Sequence, residues 1–545
     1  MLDRRQFLQL AGGSAAASAF GTAVGAPPRK KPNFLLILAD DMGFSDAGCY
    51  GGEIDTPNLD RLAAHGLRFT QGYTTARCGP SRSCLLTGHY AQQTASDIMT
   101  PGNVPNYTRF LPDHLKPLGY RSYHSGKWHM RFTPLEGVGF NHSYTLLDED
   151  RYFTPRRLEL DGAPVPQPKL EDHYYSTTAI ADYAVRFLKE HQREHAADPF
   201  LMFMAPHSPH FPLQALPEDI EKYRDRFSEG WDTARERKLA RMRRMGIVNC
   251  ALPPLEPNMW TNWNTPDSEL IAKIGKGEVT RAVPWSTLTA EQKSFQRTKM
   301  AIHAAMITRM DLEIGKVLGQ VRAMGAERDT VVVFVSDNGA SSEQLIRGDG
   351  HDAKAPAGSA GSFLGLGPGW SSASNTPLRL HKSWVNEGGI ATPMIVHWPN
   401  GIKDQNQLRH DPCHFVDLLP TMVDLAGGAP QPAPPPGAPP LAGQSLAPAL
   451  QKDGGSPHDF IYFNHNNNRA IRVGDWKLIA TGDKGPWELY DLSTDRCELK
   501  DLAAAQPERA RKLAALWKEK DDGFIRLREA APPTNRMRMR AAGAK

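Results

Sequence analysis

Three features of the sequence predict an α/β fold: a large, mostly parallel or mixed sheet flanked by helices, followed by a smaller C-terminal antiparallel sheet with a helix. Two short unbroken apolar runs, "NFLLILADD" (Asn33–Asp41) and "DTVVVFVSDNGA" (Asp329–Ala340), suit strands buried on both faces, and each ends on acids. Between them lie helical patterns, "PNLDRLAAHG", "TAIADYAVRFLKEH" and the long stretch from Glu291 to Met324, and strands that alternate with helices build parallel sheets. After the Pro-rich spacer "GGAPQPAPPPGAPPLAG" (Gly427–Gly443), "RAIRVGDWKLIAT" and "WELYDLSTD" read as two or three antiparallel strands, with a helix from about Pro507 to Lys520.

The first residues, "MLDRRQFLQLAGGSAAASAFGTAVGAPP", carry paired arginines, Arg4 and Arg5, and then a weakly apolar Ala/Gly-rich stretch with small residues near Val24 to Ala26. That stretch is too short and too rich in Gly and Ser to span a bilayer, so residues 1–26 are read as a twin-arginine (Tat) export signal. No other stretch holds eighteen apolar residues together, so the mature chain is expected to have no membrane span and to work in the periplasm or outside the cell. The catalytic domain is expected over residues 30–430, a Pro-rich linker over 431–455 and a small α+β subdomain over 456–545, whose last residues, "TNRMRMRAAGAK", read as a solvated tail. A net charge of +4 over 545 residues, with no run of five like charges, argues against nucleic acid as a partner. Six cysteines (49, 78, 84, 250, 413 and 497) include no C-x-x-C pair, which excludes the common zinc knuckles; an oxidising compartment permits a disulfide that the sequence alone cannot pair.

The chemistry gathers at the strand ends. Asp40, Asp41, Asp337 and Asn338 offer hard oxygen ligands and neither sulfur nor imidazole, a set for Ca²⁺, or less readily Mg²⁺, rather than zinc. In α/β sheets ligands collect at the carboxyl ends of strands, where both pairs would sit. Three cationic stretches accompany them: "GKWH" with Lys127 and His129, "APHSPHFP" with His207 and His210, and "HKSWVNEGG" with His381 and Lys382. A dication with lysines, an arginine and histidines describes a site for a tetrahedral oxyanion, hence for sulfate or phosphate esters.

Between the acidic pairs lies "TTARCGPSRSCLLTGHY" (Thr74–Tyr90). It resembles the Cys-x-Pro-Ser-Arg-x-x-x-Leu-Thr-Gly motif of the type I sulfatases of the alkaline phosphatase superfamily at every fixed position: Cys78, Pro80, Ser81, Arg82, Leu86, Thr87 and Gly88. The resemblance runs on through "ADDMGFSDAGCYGG", "GYRSYHSGKWH", "FVSDNGA" and "EGGIATPMIVHWP" into the C-terminal strands, and is closest to bacterial arylsulfatases. It implies that a maturation enzyme oxidises Cys78 to formylglycine. One oxygen of the hydrated aldehyde then attacks sulfur and expels the alcohol, and the second collapses to release sulfate. It further implies Ca²⁺ held by Asp40, Asp41, Asp337 and Asn338, a diol oriented by Arg82, His129 as base, and Lys127 and Lys382 on the sulfate oxygens. Two histidines, His207 and His210, fit the family's His-x-Pro pattern for the general acid, and "PHFPLQ" favours His210. Two departures stand out: Trp384 beside Lys382, and Ala391 where many members carry arginine. The leaving group, aryl or carbohydrate, stays open, and a formylglycine-dependent phosphonate monoester or phosphodiester hydrolase is the alternative.

Overall fold

In the computed structural model, the residues described are 31–97, 102–261, 263–429, 433–434, 436–454 and 458–536. The export-signal reading of residues 1–26 and the last nine residues of the expected tail lie outside them. Eleven strands build the main sheet: β1 (Asn33–Ala39), β2 (Leu67–Tyr73), β3 (Arg121–Lys127), β4 (His142–Leu146), β5 (Leu158–Leu160), β6 (Ala163–Pro164), β7 (Phe200–Ala205), β8 (Thr330–Ser336), β9 (Ala391–His397), β10 (Gln407–Arg409) and β11 (Cys413–His414). Their order is β10-β2-β9-β8-β1-β7-β3-β4-β5-β6, with β11 beside β2.

The two apolar runs read from the sequence lie side by side at the centre. β1 pairs in parallel with β8 and β7, and β7 in parallel with β3. Register puts Ala39 opposite Ser336 and Gly126 opposite Ala205, so the four strands end level and release their next residues at one edge. The sheet is mixed because β9 runs antiparallel between β8 and β2, and because β4–β5–β6 turn back on one another.

Both faces are covered, which is why β1 is apolar at every position after Asn33 rather than at alternate ones. Leu35, Ile37 and Ala39 join one core with the helices Pro57–Ala64, Ser176–Glu194 and Ala290–Ala323; Phe34, Leu36 and Leu38 join a second with Leu85, Leu86 and Leu418. The helix Ala290–Ala323 begins at a capping box: Thr289 Oγ1 accepts from Gln292 N (3.2 Å) and Gln292 Oε1 accepts from Thr289 N (3.0 Å), satisfying two donors that a helix start leaves unpaired.

The C-terminal sheet has four antiparallel strands, not two or three: β12 (Ile461–His465), β13 (Asn468–Val473), β14 (Trp476–Ala480) and β15 (Glu488–Asp491). The following helix runs Pro507–Ala530, past the expected end at Lys520, because Phe524 stacks on Tyr90 of the main body and carries it further. A buried ionic cluster joins this sheet to the main body. Lys477 Nζ lies 2.7 Å from Glu387 and 2.8 Å from Glu498, and Arg496 Nε lies 2.5 Å from Glu387. A Cys250–Cys497 disulfide, a pairing that the sequence could not supply, ties the same region down again. The expected solvated tail is docked as far as Arg536, whose guanidinium pairs with Asp113 at 2.7 Å. Among the described residues no helix is long and apolar enough to cross a membrane.

Candidate active site

Each central strand delivers one part of the site. Asp40 and Asp41 follow β1, Asp337 and Asn338 follow β8, Lys127 ends β3 with His129 two residues on, and His207 and His210 follow β7. β9 runs the other way, so the loop that leads into it reaches the same edge and brings Lys382. Close backbone packing holds this corner: a Cβ at Gly339 would collide with the Gly388 carbonyl, and one at Gly389 with the Trp384 carbonyl, which accounts for the glycines in "DNG" and "EGG".

β2 ends at Tyr73, and after a four-residue turn the helix Cys78–Thr87 starts with Cys78 itself. Thr75 N donates to Ser81 Oγ (3.1 Å), which fixes that turn, and Pro80 lies in the first helical turn, where its missing N–H costs nothing. Cys78 is buried, with Sγ 3.0 Å from His129 Nδ1. One helical turn later Arg82 donates to the Lys127 carbonyl (2.9 Å) and to Asp337 Oδ2 (2.9 Å), with Asp40 Oδ2 at 3.6 Å. The helix therefore aims the cysteine and the arginine into one pocket from one rigid element.

The acids and the cations are interlocked. Lys127 Nζ is 2.5 Å from Asp40 Oδ2, and Lys382 Nζ is 2.8 Å from Asp41 Oδ1. Burial pushes the Asp40 carboxyl up, but Lys127, His210 and Arg82 outweigh it and hold the group below the usual range. Asp41 and Asp337 remain raised, through burial first and then through repulsion from Asp40. Burial lowers His129 to about 4 and His207 to about 3, and the Lys127 charge adds to both effects.

The residues fit a hard dication. Three buried carboxylates crowd together, Asp40 Oδ1 and Asn338 Oδ1 are buried acceptors without a hydrogen-bond donor among the described residues, and every available donor atom of the acidic pairs is oxygen. Ligand atoms of Asp40, Asp41 and His210 lie within 4.8 Å of one another, as do those of Asp40, Cys78 and Asp337, so the cysteine borders the acidic centre.

The two candidate acids differ in placement. His210 Nε2 lies 3.8 Å from Asp41 Oδ2, and its Nδ1 is 2.6 Å from the Phe211 carbonyl. His207 stacks on Tyr152 at 3.9 Å and faces Ser176 Oγ at 3.4 Å. His381, grouped with the cationic stretches in the sequence, is buried against Ser371 Oγ at 2.7 Å and lowered to about 3 by burial. Trp384 is packed edge-on against His381 inside the protein.

Two carboxylates at the site gave no sign in the sequence. Glu149 lies 2.5 Å from Lys127 and 3.0 Å from Arg347; Glu343 lies 3.4 Å from Lys382 and 2.8 Å from Arg77. Each lysine is thus braced by a glutamate that an arginine neutralises from the other side. No local motif marks them, since both sit in irregular segments far in sequence from the lysines they serve.

Residues 32–429 match the sulfatase family model, and residues 379–522 match that of the N-sulphoglucosamine sulphohydrolase C-terminal region. The chain belongs to the sulfatase family. It is a type I sulfatase of the alkaline phosphatase superfamily, a sulfuric ester hydrolase. An uncharacterized sulfatase of Schizosaccharomyces pombe is 33% identical over 90% of this chain and 93% of its own length. The arylsulfatase of Klebsiella aerogenes is 30% identical over 77% and 89%, and an N-acetylglucosamine-6-O-sulfatase of Bacteroides thetaiotaomicron is 25% identical over 87% and 83%. Among solved structures, a protein in complex with its substrate D-glucosamine-2-N,6-O-disulfate shares the fold at a TM-score of 0.62 and 22% identity, over 91% of this chain and 98% of that one. These sulfatase relatives lend no support to the phosphonate or phosphodiester alternative.

Proposed function

We propose that this sulfatase hydrolyses sulfate monoesters at a formylglycine made from Cys78, beside a Ca²⁺ held by Asp40, Asp41, Asp337 and Asn338. The observation that carries this reading is the position of Cys78: first residue of its helix, 3.0 Å from His129 and bordering the acidic centre. The formylglycine would supply a geminal diol, one hydroxyl to attack sulfur and one to expel sulfate afterwards. The dication would supply Lewis acidity toward the sulfate and nucleophile oxygens.

The remaining work falls to the chain's own residues. Lys127 and Lys382 grip the sulfate oxygens as compact charges, and Glu149 and Glu343 fix where those charges stand. Arg82, with both of its terminal nitrogens engaged, orients the residue-78 side chain one turn away. His129 holds or takes the proton of that side chain through Nδ1. His210 is the general acid in preference to His207, because its Nε2 faces the acidic centre while His207 is turned toward Ser176 and Tyr152. With the Phe211 carbonyl accepting from Nδ1, His210 turns Nε2 to the leaving oxygen; burial and then the Lys127 and Lys382 charges hold its pKa well below the usual imidazole value, so the proton it donates is taken up with the anionic substrate in place.

Exported enzymes of this kind act outside the cytoplasm, and residues 1–26 are the segment that would direct Tat export after maturation of Cys78. Residues 30–430 form the catalytic domain in this reading, with residues 431–455 linking it to the C-terminal subdomain. The test is hydrolysis of 4-nitrophenyl sulfate by protein produced with a maturation enzyme. Cys78→Ala should abolish turnover while the fold is kept; turnover that survives the substitution would end this mechanism.

A further inference from the structure

A cavity of about 260 Å³ opens at the other end of the sheet from Cys78. Val332 of β8 and His397, the last residue of β9, are register partners and share its wall. Val332 stands five residues before Asp337 on the same run of chain, so at about 3.3 Å per residue the cavity lies about 16 Å from the acidic centre. The helices Pro57–Ala64 and Ala290–Ala323 close it with their C-terminal ends, which bring Arg61 and Leu62 from one and Leu318 and Arg322 from the other. Gly66 sets the first of these helices down on β9: a Cβ there would meet the Val396 carbonyl at 2.4 Å and the His397 Cα at 3.1 Å.

The lining is half apolar and half charged. Leu62, Leu318 and Val332 are buried and supply the apolar half. In the other half Arg322 is matched by the exposed Glu327, with Nε and Nη2 each 3.3 Å from Oε1. Arg61 has no carboxylate partner among the described residues; its Nη2 donates to the neutral Asn58 side chain at 3.3 Å. Counting Arg61, Arg322 and Glu327, the walls hold one net positive charge. His397 Nδ1 is buried and has no hydrogen-bond partner among the described residues. Burial lowers His397 to about 4; Glu327 opposes this, and His65 and Arg61 add to it. The ring is therefore neutral near pH 7, and its Nδ1 can carry a proton to donate.

We propose that this cavity is a second ligand site, separate from the Cys78 centre, and that it binds a monoanion with an apolar body: a carboxylate on Arg61 and His397 Nδ1, its hydrocarbon on Leu62, Leu318 and Val332. One net positive charge calls for one negative charge, and Glu327 repels a dianion such as sulfate or a phosphate monoester. The planar guanidinium fork of Arg61 matches a carboxylate in two hydrogen bonds. A neutral ligand would leave Arg61 without a counter-charge, and a bare inorganic anion would leave the apolar half wet. At about 30 Å³ per water the cavity has room for about nine waters, the size of a carboxylate of about ten heavy atoms. The site stands on its own geometry, whichever residue is the nucleophile at the other end of the sheet.

The test is calorimetric titration of the full chain with 3-phenylpropionate and with its neutral counterpart, 3-phenylpropanamide. Wild type should bind the carboxylate with a Kd of about 1 mM or tighter and the amide at least about tenfold more weakly. Arg61→Gln keeps the length of an exposed side chain and drops its charge; it should weaken carboxylate binding about tenfold and leave Tm within about 2 °C of wild type. His397→Phe keeps a ring and removes the unpaired nitrogen, so it should weaken binding about tenfold while Tm holds or rises, an outcome that general loss of structure would not give. Should His397→Phe fail to fold, Arg61→Gln carries the test. No saturable binding of 3-phenylpropionate up to about 10 mM, equal affinity for the amide, or an affinity unchanged in either folded variant overturns the site.

Discussion

Replacing Lys477 with methionine keeps most of the aliphatic stem and removes one buried charge. The Nζ group lies 2.7 Å from Glu387 and 2.8 Å from Glu498, and all three side chains are fully buried. Glu387 would keep Arg496 at 2.5 Å and the Tyr73 hydroxyl at 2.9 Å, whereas Glu498 would keep only the neutral Asn386 amide (3.0 Å) and the Glu387 N–H (3.1 Å). Stranding a buried charge in this way costs about 3–5 kcal/mol. In a chain of this size that is a fall of roughly 3–5 °C in Tm. Glu498→Gln removes the stranded charge, so the double variant should be more stable than the sum of the single losses by about 1–3 kcal/mol. Turnover should fall with stability, because Glu498 anchors Asn386 and Glu387 next to the Lys382 loop. The assay is thermal unfolding of the four proteins of the cycle. A Tm change under about 2 °C for Lys477→Met, or strict additivity in the double variant, would refute the claim that this cluster is a coupled clamp.

Three further outcomes are expected. Dialysis against a chelator should abolish turnover, and Ca²⁺ at about a hundredfold over its Kd should restore it while raising stability by about 2.7 kcal/mol; full activity in chelator would contradict the dication. Burial lowers His89 to about 4 and His381, His414 and His465 to about 3, so these side chains take up protons near 6.5 only when unfolded. Their contribution to stability is intact above about pH 6.5 and is lost as the pH falls toward 3–4, so Tm should drop steeply between pH 6.5 and 4, and a flat profile there would count against it. Cys250→Ser opens a tie spanning 247 residues, which in the chain-entropy picture costs up to about 5 kcal/mol; thermal unfolding with and without reductant measures it, and a change below about 1 °C would show that the Lys477 clamp suffices alone.

What the sequence made legible was local. The apolar runs from Asn33 and Thr330 could be read as buried parallel strands because both of their faces need apolar side chains, and the acids that end them had to lie at a carboxyl edge. The Cys78 motif is contiguous, so its helix, its turn and its arginine travel together. The antiparallel position of β9 was not legible, because pairing partners are set by contacts hundreds of residues apart. Glu149 and Glu343 escaped for the same reason: each earns its place by a partner distant in sequence, and neither stands in a recurrent pattern. Both His-x-Pro stretches fit the pattern and "PHFPLQ" favoured His210 as text; the three-dimensional placement adds that His210 faces Asp41 while His207 is turned to Tyr152.

The central claim is that residue 78 is converted before it acts. Trypsin should release Cys78–Arg82 as a short peptide, since Arg77 precedes it and Arg82 closes it. In protein that hydrolyses sulfate esters, the account predicts that this peptide is lighter than its thiol form by about 18 Da, the difference between CH₂SH and CHO, in proportion to the active fraction. Full sulfatase activity in a preparation whose peptide carries only the intact thiol would contradict it.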